Sequence, residues 1–314
     1  MIKNPLAFAQ TDLRLLRVFQ AVARNEGFAA AQEELGISAG TISTHITHLE
    51  ERMGVRLCER GRKGFSLTAE GSKILEAAEG LWRSVENFSS TVGSVRGELS
   101  GTVHLGTVDA MHTNTSASLA QAIAKFNGLA PQVVLHVEIA SPQDLLQRLL
   151  DGRYAIILTP VEEIHPSVFA VSLFDEEQRL YCGSGHPLFP RPRAATLEEV
   201  KRSPYVARTY MKGSSQSRDA NFNQRAITSH MEAIAILIST GKYVGYLPEH
   251  FARAYVNEGS MRSVLDEQLA YFDTFHLVHR KDERNRAALA LKSCLVESLA
   301  DMLNATRQQA VIAN

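Results

Sequence analysis

The turn Gly36-Ile37-Ser38 constrains this chain more tightly than any other short stretch. Before it, Phe28 to Leu35 reads FAAAQEEL, a short helix whose alanines permit close packing. After it comes TISTHITHLEERM, a second helical stretch. Gly36 suits the positive φ that ends a helix, and Ser38 suits the N-cap of the next one. A short helix, a three-residue turn with Gly and a Ser-capped helix form the helix-turn-helix pattern. In the later helix Ile42, Ile46, Leu49 and Met53 recur at spacings of four, three and four, which predicts its buried stripe. Thr41, Ser43, Thr44, Thr47 and His48 fall on the other side, with His45 at the stripe's margin.

Three uses remain open for that polar side: reading DNA, holding a metal through His45 and His48, or serving as the wet back of a core helix. A spacing of three brings two ligands together, but structural zinc needs about four. No Cys or Asp stands nearby to complete the set. The expectation is no metal and no cofactor.

The flanking residues extend the pattern. Asp12 is an N-cap or first-turn acid for a helix whose Leu15, Phe19 and Val22 share a face, with Leu16 and Ala23 beside them, and which ends at Gly27. Downstream, Val55, Leu57, Phe65 and Leu67 bracket the turn ERGRKG, which predicts a two-stranded wing with cations at its tip. Arg52, Arg56, Arg60, Arg62 and Lys63 stand against a single acid, Glu59. Cations so placed attract phosphates without reading sequence. Arg52, Arg60, Arg62 and Lys63 are therefore the candidate phosphate contacts. Ser38, Thr41, Ser43, Thr44, His45, Thr47 and His48 are the candidates for the groove, where hydroxyls, methyls and imidazoles favour thymine methyls and adaptable hydrogen bonds.

From Thr68 to about Val95 one long helix is predicted. Ile74, Ala78, Leu81, Val85, Phe88 and Val92 are spaced four, three, four, three and four, a heptad seam. A narrow seam on a long helix favours a coiled-coil dimer; the alternative is a helix packed on its own domain, for which a wider stripe is usual. Two paired reading helices roughly 34 Å apart would demand a roughly palindromic site.

After the hinge VRGELSGTV the periodicity changes. Short apolar runs at 101–108, 133–140 and 154–160 alternate with helices near 115–127 and at 142–151, which predicts βαβ units and a parallel sheet. VFAVSLF and RLYCGS read as two further strands, followed by PYVAR, a helix at 230–241 and a last helix from about 285 to 305. These suggest a second lobe and a return to the first.

The order AAAQEELGIS, TISTHITHLEERMGVRLCER and FSLTAEG resembles the N-terminal domain of the LysR-type transcriptional regulators. Leu49-Glu50, Gly54-Val55-Arg56-Leu57, Arg60, and Leu67-Thr68 followed by Gly71 carry the likeness. GSGHPLF (183–189) and STGKYVGYLPEHF (239–251) resemble phrases of that family's periplasmic-binding-protein-like effector domain. The chain departs at Ala39-Gly40, where the family usually has Gln first, at Thr44, often Arg or Lys there, and at Tyr154-Ala155 in place of Asp-Leu.

The resemblance implies an α/β protein with an all-α/winged helix-turn-helix N-terminal domain (1–68), a linker dimerisation helix (69–97) and a two-lobed α/β effector domain (98–314). Lobe I would take about 101–165 and 266–314, and lobe II about 166–265. The partners implied are double-stranded promoter DNA, a small-molecule effector, RNA polymerase for an activator, and further copies of the chain as a homodimer or homotetramer.

Ligands of a two-lobed α/β domain sit beyond the carboxyl ends of the strands. Four segments would converge there: Thr107, Asp109, His112 and Thr113; Ser141; Arg208 and Tyr210; and Ser229, His230 and Met231. Helix N-termini and Arg208 favour an anion; Asp109 works against one unless it pairs with Arg208 or His230 or meets an amino group. A small carboxylate or amphoteric metabolite is the expected effector.

Composition excludes little beyond this. At 314 residues, 45% hydrophobic and 21% charged, the chain allows two domains with a sizeable core. A net charge of -1 argues against a protein that coats nucleic acid everywhere. Cys58, Cys182 and Cys294 lie far apart, as reduced buried thiols do. No apolar leader or membrane-length run is evident, so no membrane association and a cytoplasmic location are expected. An enzyme reading would use Asp109, His112 and Ser116 as a triad, but eight residues of one loop do not easily take that geometry, and no GxGxxG or Walker motif is present. A solute-binding protein would leave the helix-turn-helix unexplained.

Overall fold

The computed structural model describes residues 10–61, 64–95, 98–115, 119–209 and 221–298. The chain divides into two compact units, Met1–Glu86 and Asn87–Asn314.

In the first unit α1 (Gln10–Arg24), α2 (Ala31–Leu35) and α3 (Ala39–Met53) precede a hairpin of β1 (Cys58–Gly61) and β2 (Gly64–Leu67), after which α4, Ala69 to Val95, runs past the unit's last residue, Glu86. Phe19, Val22, Ala31, Ile42, Ile46, Leu49 and Leu57 form its buried centre. α2 is shorter than the sequence suggests. Phe28 lies in the preceding turn and sets its ring edge-on to Phe65, 5.9 Å away. Gly36 takes φ 64°, a left-handed value that its missing Cβ allows, and donates its N–H to Gln32 O.

Thr68 joins the wing to α4. Its hydroxyl donates to Arg56 O at 2.6 Å and accepts from Gly71 N at 2.8 Å. Gly71 is required by space: a Cβ there would lie 2.0 Å from Leu57 O.

The heptad seam of α4 divides into two parts. Ala78 is 3% exposed inside the core of the first unit, and Ile74 and Leu81 pack against that core. These three residues seal their own domain, the use that the narrow seam argued against. Ala78 is already enclosed and has no surface left for a second chain. Val85, Phe88 and Val92, further along, are exposed.

Among the described residues the second unit holds a mixed sheet of nine strands, where a parallel one is expected from the alternation. Its strands are β3 (Ser100–Thr107), β4 (Gln132–Ile139), β5 (Ile156–Pro160), β6 (Val168–Gly183), β7 (Pro204–Arg208), β8 (Asn223–Thr228), β9 (Val244–Pro248), β10 (Met261–Ser263) and β11 (Tyr271–Arg280). They lie in the order β4-β3-β5-β11-β6-β9-β7-β8, with β10 beside β6. β3, β4 and β5 are parallel, as are β7, β8 and β9, but β6 and β11 run antiparallel to their neighbours. Helices α5 (Leu119–Leu129), α6 (Pro142–Leu150), α7 (Leu197–Arg202), α8 (Met231–Ser239), α9 (Glu249–Asn257), the short α10 (Asp266–Leu269) and α11 (286–298) complete it.

VFAVSLF and RLYCGS, read from sequence as two strands, are one continuous strand of 16 residues. The first half of β6 pairs only with β11, and its second half also with β9 and β10. β11 returns the chain, pairing with both β6 and β5. These two strands belong to both halves of the domain, and a boundary at 166 falls at the foot of one of them.

Candidate functional site

The polar face of α3 is built from its first turn. Ser38 caps the helix, its Oγ accepting from Thr41 N at 3.2 Å and lying 2.9 Å from Thr41 Oγ1. Gln32 Oε1 accepts from Ala39 N at 3.0 Å, which ties α2 to the start of α3. Ile42, Ile46 and Leu49 are buried. Thr41, Thr44, Thr47 and His48 are exposed, and Ser43 and His45 half-buried. Ser43, Thr44, Thr47, His48 and Glu51 line one shallow depression. Glu51 escapes a sequence reading that looks for cations; its position one turn beyond Thr47 is the signal that places it there. Glu50, next to it, points to the wing, where Oε1 accepts from Leu57 N at 2.7 Å and Cys58 N at 3.2 Å.

The expected cations distribute differently. Arg52 pairs through Nε and Nη2 with both carboxylate oxygens of Asp12, whose side chain is 3% exposed. It braces α3 against α1, and its charge is matched within the fold rather than held out to phosphate. Asp12, expected as the N-cap or a first-turn acid of α1, lies in its first turn and is the acid of that brace. Arg60 lies in β1 opposite Phe65, its side chain outside the described residues. Arg62 and Lys63 lie outside them altogether. Among the described residues no three His, Cys, Asp or Glu side chains gather as a metal site.

In the second unit the structure brings together several of the predicted effector residues. Thr107 ends β3, 3% exposed, with its Oγ1 buried and, among the described residues, without a hydrogen-bond partner. Asp109 follows on a turn held by Ala110 at φ 61°. Its Oδ2 accepts from Met231 N at 2.6 Å, the first N–H of α8, and lies 3.8 Å from His230 Nδ1. Burial, the largest influence, raises the Asp109 pKa, while the Met231 N–H opposes the rise. Ser141 caps α6 by accepting from Asp144 N and donates to the Asp144 carboxylate at 2.8 Å. Both helix N-termini proposed for an anion thus already carry a carboxylate of the chain.

Other candidates are placed elsewhere. Met231 buries its side chain in a cluster with Ala110 and Ile234. Arg208, its side chain 2% exposed, donates to Gln178 Oε1 at 2.7 Å and Tyr246 O at 3.0 Å, and lies 4.0 Å from Asp273. It ties β7 to the long strands instead of facing an open cleft. His112 and His230 are exposed, and Ser229 is half-buried. Tyr210 and Ser116 lie outside the described residues.

One network has no counterpart in the sequence reading. His250, at the start of α9, lies 2.8 Å from Thr113 Oγ1 through Nδ1 and 2.8 Å from Glu176 Oε1 through Nε2. Asn114 Nδ2 also donates to Glu176 Oε1, and Gln178 Nε2 donates to Glu176 Oε2. The chain of contacts runs from the loop after β3, through β6, to α9 and, by Gln178, to Arg208. Period two could have revealed it: Glu176 and Gln178 are in phase with the buried Leu180 and Cys182.

Two family models match the chain. The one described as bacterial regulatory helix-turn-helix protein, lysR family, covers residues 13–72, and LysR substrate binding domain covers residues 96–300. The HTH-type transcriptional activator BauR of Pseudomonas aeruginosa is 34% identical over 280 residues, 88% of this chain and 92% of that protein. Among solved structures, CbnR, a LysR family transcriptional regulator, is similar with a TM-score of 0.64 at 18% identity, covering 91% of this chain and 99% of that one. Full-length CbnR complexed with its target DNA gives the same figures. The likeness to both CbnR structures concerns the fold.

Proposed function

The chain belongs to the LysR family of transcriptional regulators, and from that premise we propose that α3 reads a roughly palindromic promoter site under the control of a small amphoteric metabolite. The exposed hydroxyls and imidazoles of α3, fixed by the Ser38 cap and the Arg52–Asp12 brace, support the reading of bases. Wing cations would hold the phosphates. The working form is a homodimer or homotetramer, whose second reading head adds affinity through effective concentration. The relative named above is an activator, and activation with contact to RNA polymerase is the direction proposed for this chain.

Asp109 carries the choice of effector. A buried carboxylate, bonded across to the first turn of α8, stands where a purely anionic ligand would meet repulsion. An ammonium group would relieve its desolvation, and the buried Thr107 Oγ1 offers a hydrogen bond to a carboxylate on the same molecule. A simple carboxylate would have to displace Asp109 from the helix. Binding that loosens or tightens the Asp109–Met231 contact would favour one arrangement of the domain over another, which is what control of DNA binding requires.

A thermal-shift screen of the full chain against amino acids, organic acids, amines and neutral sugars tests the effector reading. Amphoteric compounds should stabilise it most, by about 2.7 kcal/mol at a hundredfold excess over Kd. Stabilisation by neutral sugars alone would sink the reading.

A further inference from the structure

We propose that Thr44 recognises the C5 methyl group of a thymine through its own γ-methyl. The inference rests on α3 reading bases and concerns how one residue of it does so. Thr44 is exposed on the polar face and lines the depression shared with Ser43, Thr47, His48 and Glu51. Its hydroxyl donates to Gly40 O, one turn back, at 3.1 Å. A threonine committed in this way has no hydroxyl proton left to give a base. Cβ is staggered, so Cγ2 occupies a different well from the committed oxygen and is the apolar group left on an exposed face.

The surroundings select the same base. Glu51 on the rim is an acceptor only, so it opposes phosphate and suits an exocyclic amine. Ser38 and Thr41 engage each other's hydroxyls in the first turn. Of the base edges in the major groove, only thymine offers a methyl. Adenine, its partner, offers an N6 amine, a donor that suits an acceptor.

The test uses a duplex enriched from a random pool by the full-length chain. Each thymine of one half-site is replaced in turn by deoxyuridine, which removes the C5 methyl and nothing else. Affinities are read by fluorescence anisotropy for the natural chain, Thr44→Ser and Thr44→Val. One position should lose about fourfold in affinity for the natural chain, the effect of one buried methyl-sized contact. Thr44→Ser keeps the bond to Gly40 but not the methyl, and should bind thymine and deoxyuridine equally there. Thr44→Val keeps the methyl and should retain the fourfold loss. Unchanged affinity for scrambled DNA at low salt shows that each variant is folded. Equal sensitivity of Thr44→Ser and the natural chain at every position would overturn the proposal, as would loss of the effect in Thr44→Val. Failure to enrich any sequence would instead overturn base reading by α3, and enrichment with no deoxyuridine effect would overturn the methyl contact alone.

Discussion

Asp109 holds a carboxylate on the first N–H of α8, and burial raises its pKa above the ordinary 3.8. A carboxyl raised in the folded state binds its proton more tightly folded than unfolded, so its ionised form costs stability. That cost is present in full at pH above the raised value. It diminishes as pH falls through that value and is gone below 3.8. Asp109→Asn keeps an acceptor for Met231 without the charge. It should therefore raise the melting temperature of the effector-free chain at pH 7, and the gain should shrink as the pH falls through the raised value. A gain that is absent at pH 7, or that grows with acid, would mean that the carboxylate is not penalised by burial. The same residue explains a limit of reading sequence. Ser141 and Asp109 are visible as a cap and an acid, but no pattern shows that Asp109 and Asp144 occupy the two N-termini. Arg52 teaches the same lesson: forty residues separate it from Asp12, and only the packing of α1 on α3 joins them.

α4 packs one part of its seam on the winged domain and leaves the rest exposed. Its first turns close the winged domain, and the approach is so near that Gly71 has no room for a methyl. Gly71→Ala should destabilise the first unit by more than about 2 kcal/mol, because the obstructing atom is a backbone carbonyl that cannot turn aside. Denaturant unfolding measures this, and an unchanged midpoint would show that the helix can shift without cost. Beyond the domain, Phe88 is 68% exposed, with Val85 and Val92 one turn to either side. Phe88→Ser should lower the mass seen in sedimentation velocity at micromolar concentration if this stretch joins two chains, and an unchanged mass would place the contact elsewhere. The heptad spacing was legible because it depends on local periodicity alone. Which part of the seam stays exposed was not, since that is decided by the reach of the winged domain's own core. The stripe of α3 is legible for the same local reason. β6 was not read as one strand, because its polar stretch DEEQ interrupts the apolar run that marks a strand, and there burial serves the Glu176 and Gln178 network.

Across the whole chain, a unit with a hydroxyl-rich reading helix is followed by a unit whose halves share two long strands. The loop after β3, β6 and α9 meet at His250 and Glu176. The measurement that decides whether the first unit reads sequence is competitive binding of the full chain to an enriched duplex and to a scrambled one across a range of salt. Specific sites are typically bound at least a thousandfold tighter than non-specific DNA, and that ratio is expected here. His45→Ala should shrink the ratio while leaving the salt dependence in place, and Arg62→Ala should weaken both duplexes alike and flatten the salt slope. Equal affinity for the two duplexes, or a ratio that survives His45→Ala but collapses with Arg62→Ala, would refute base reading by α3 and move it to the wing.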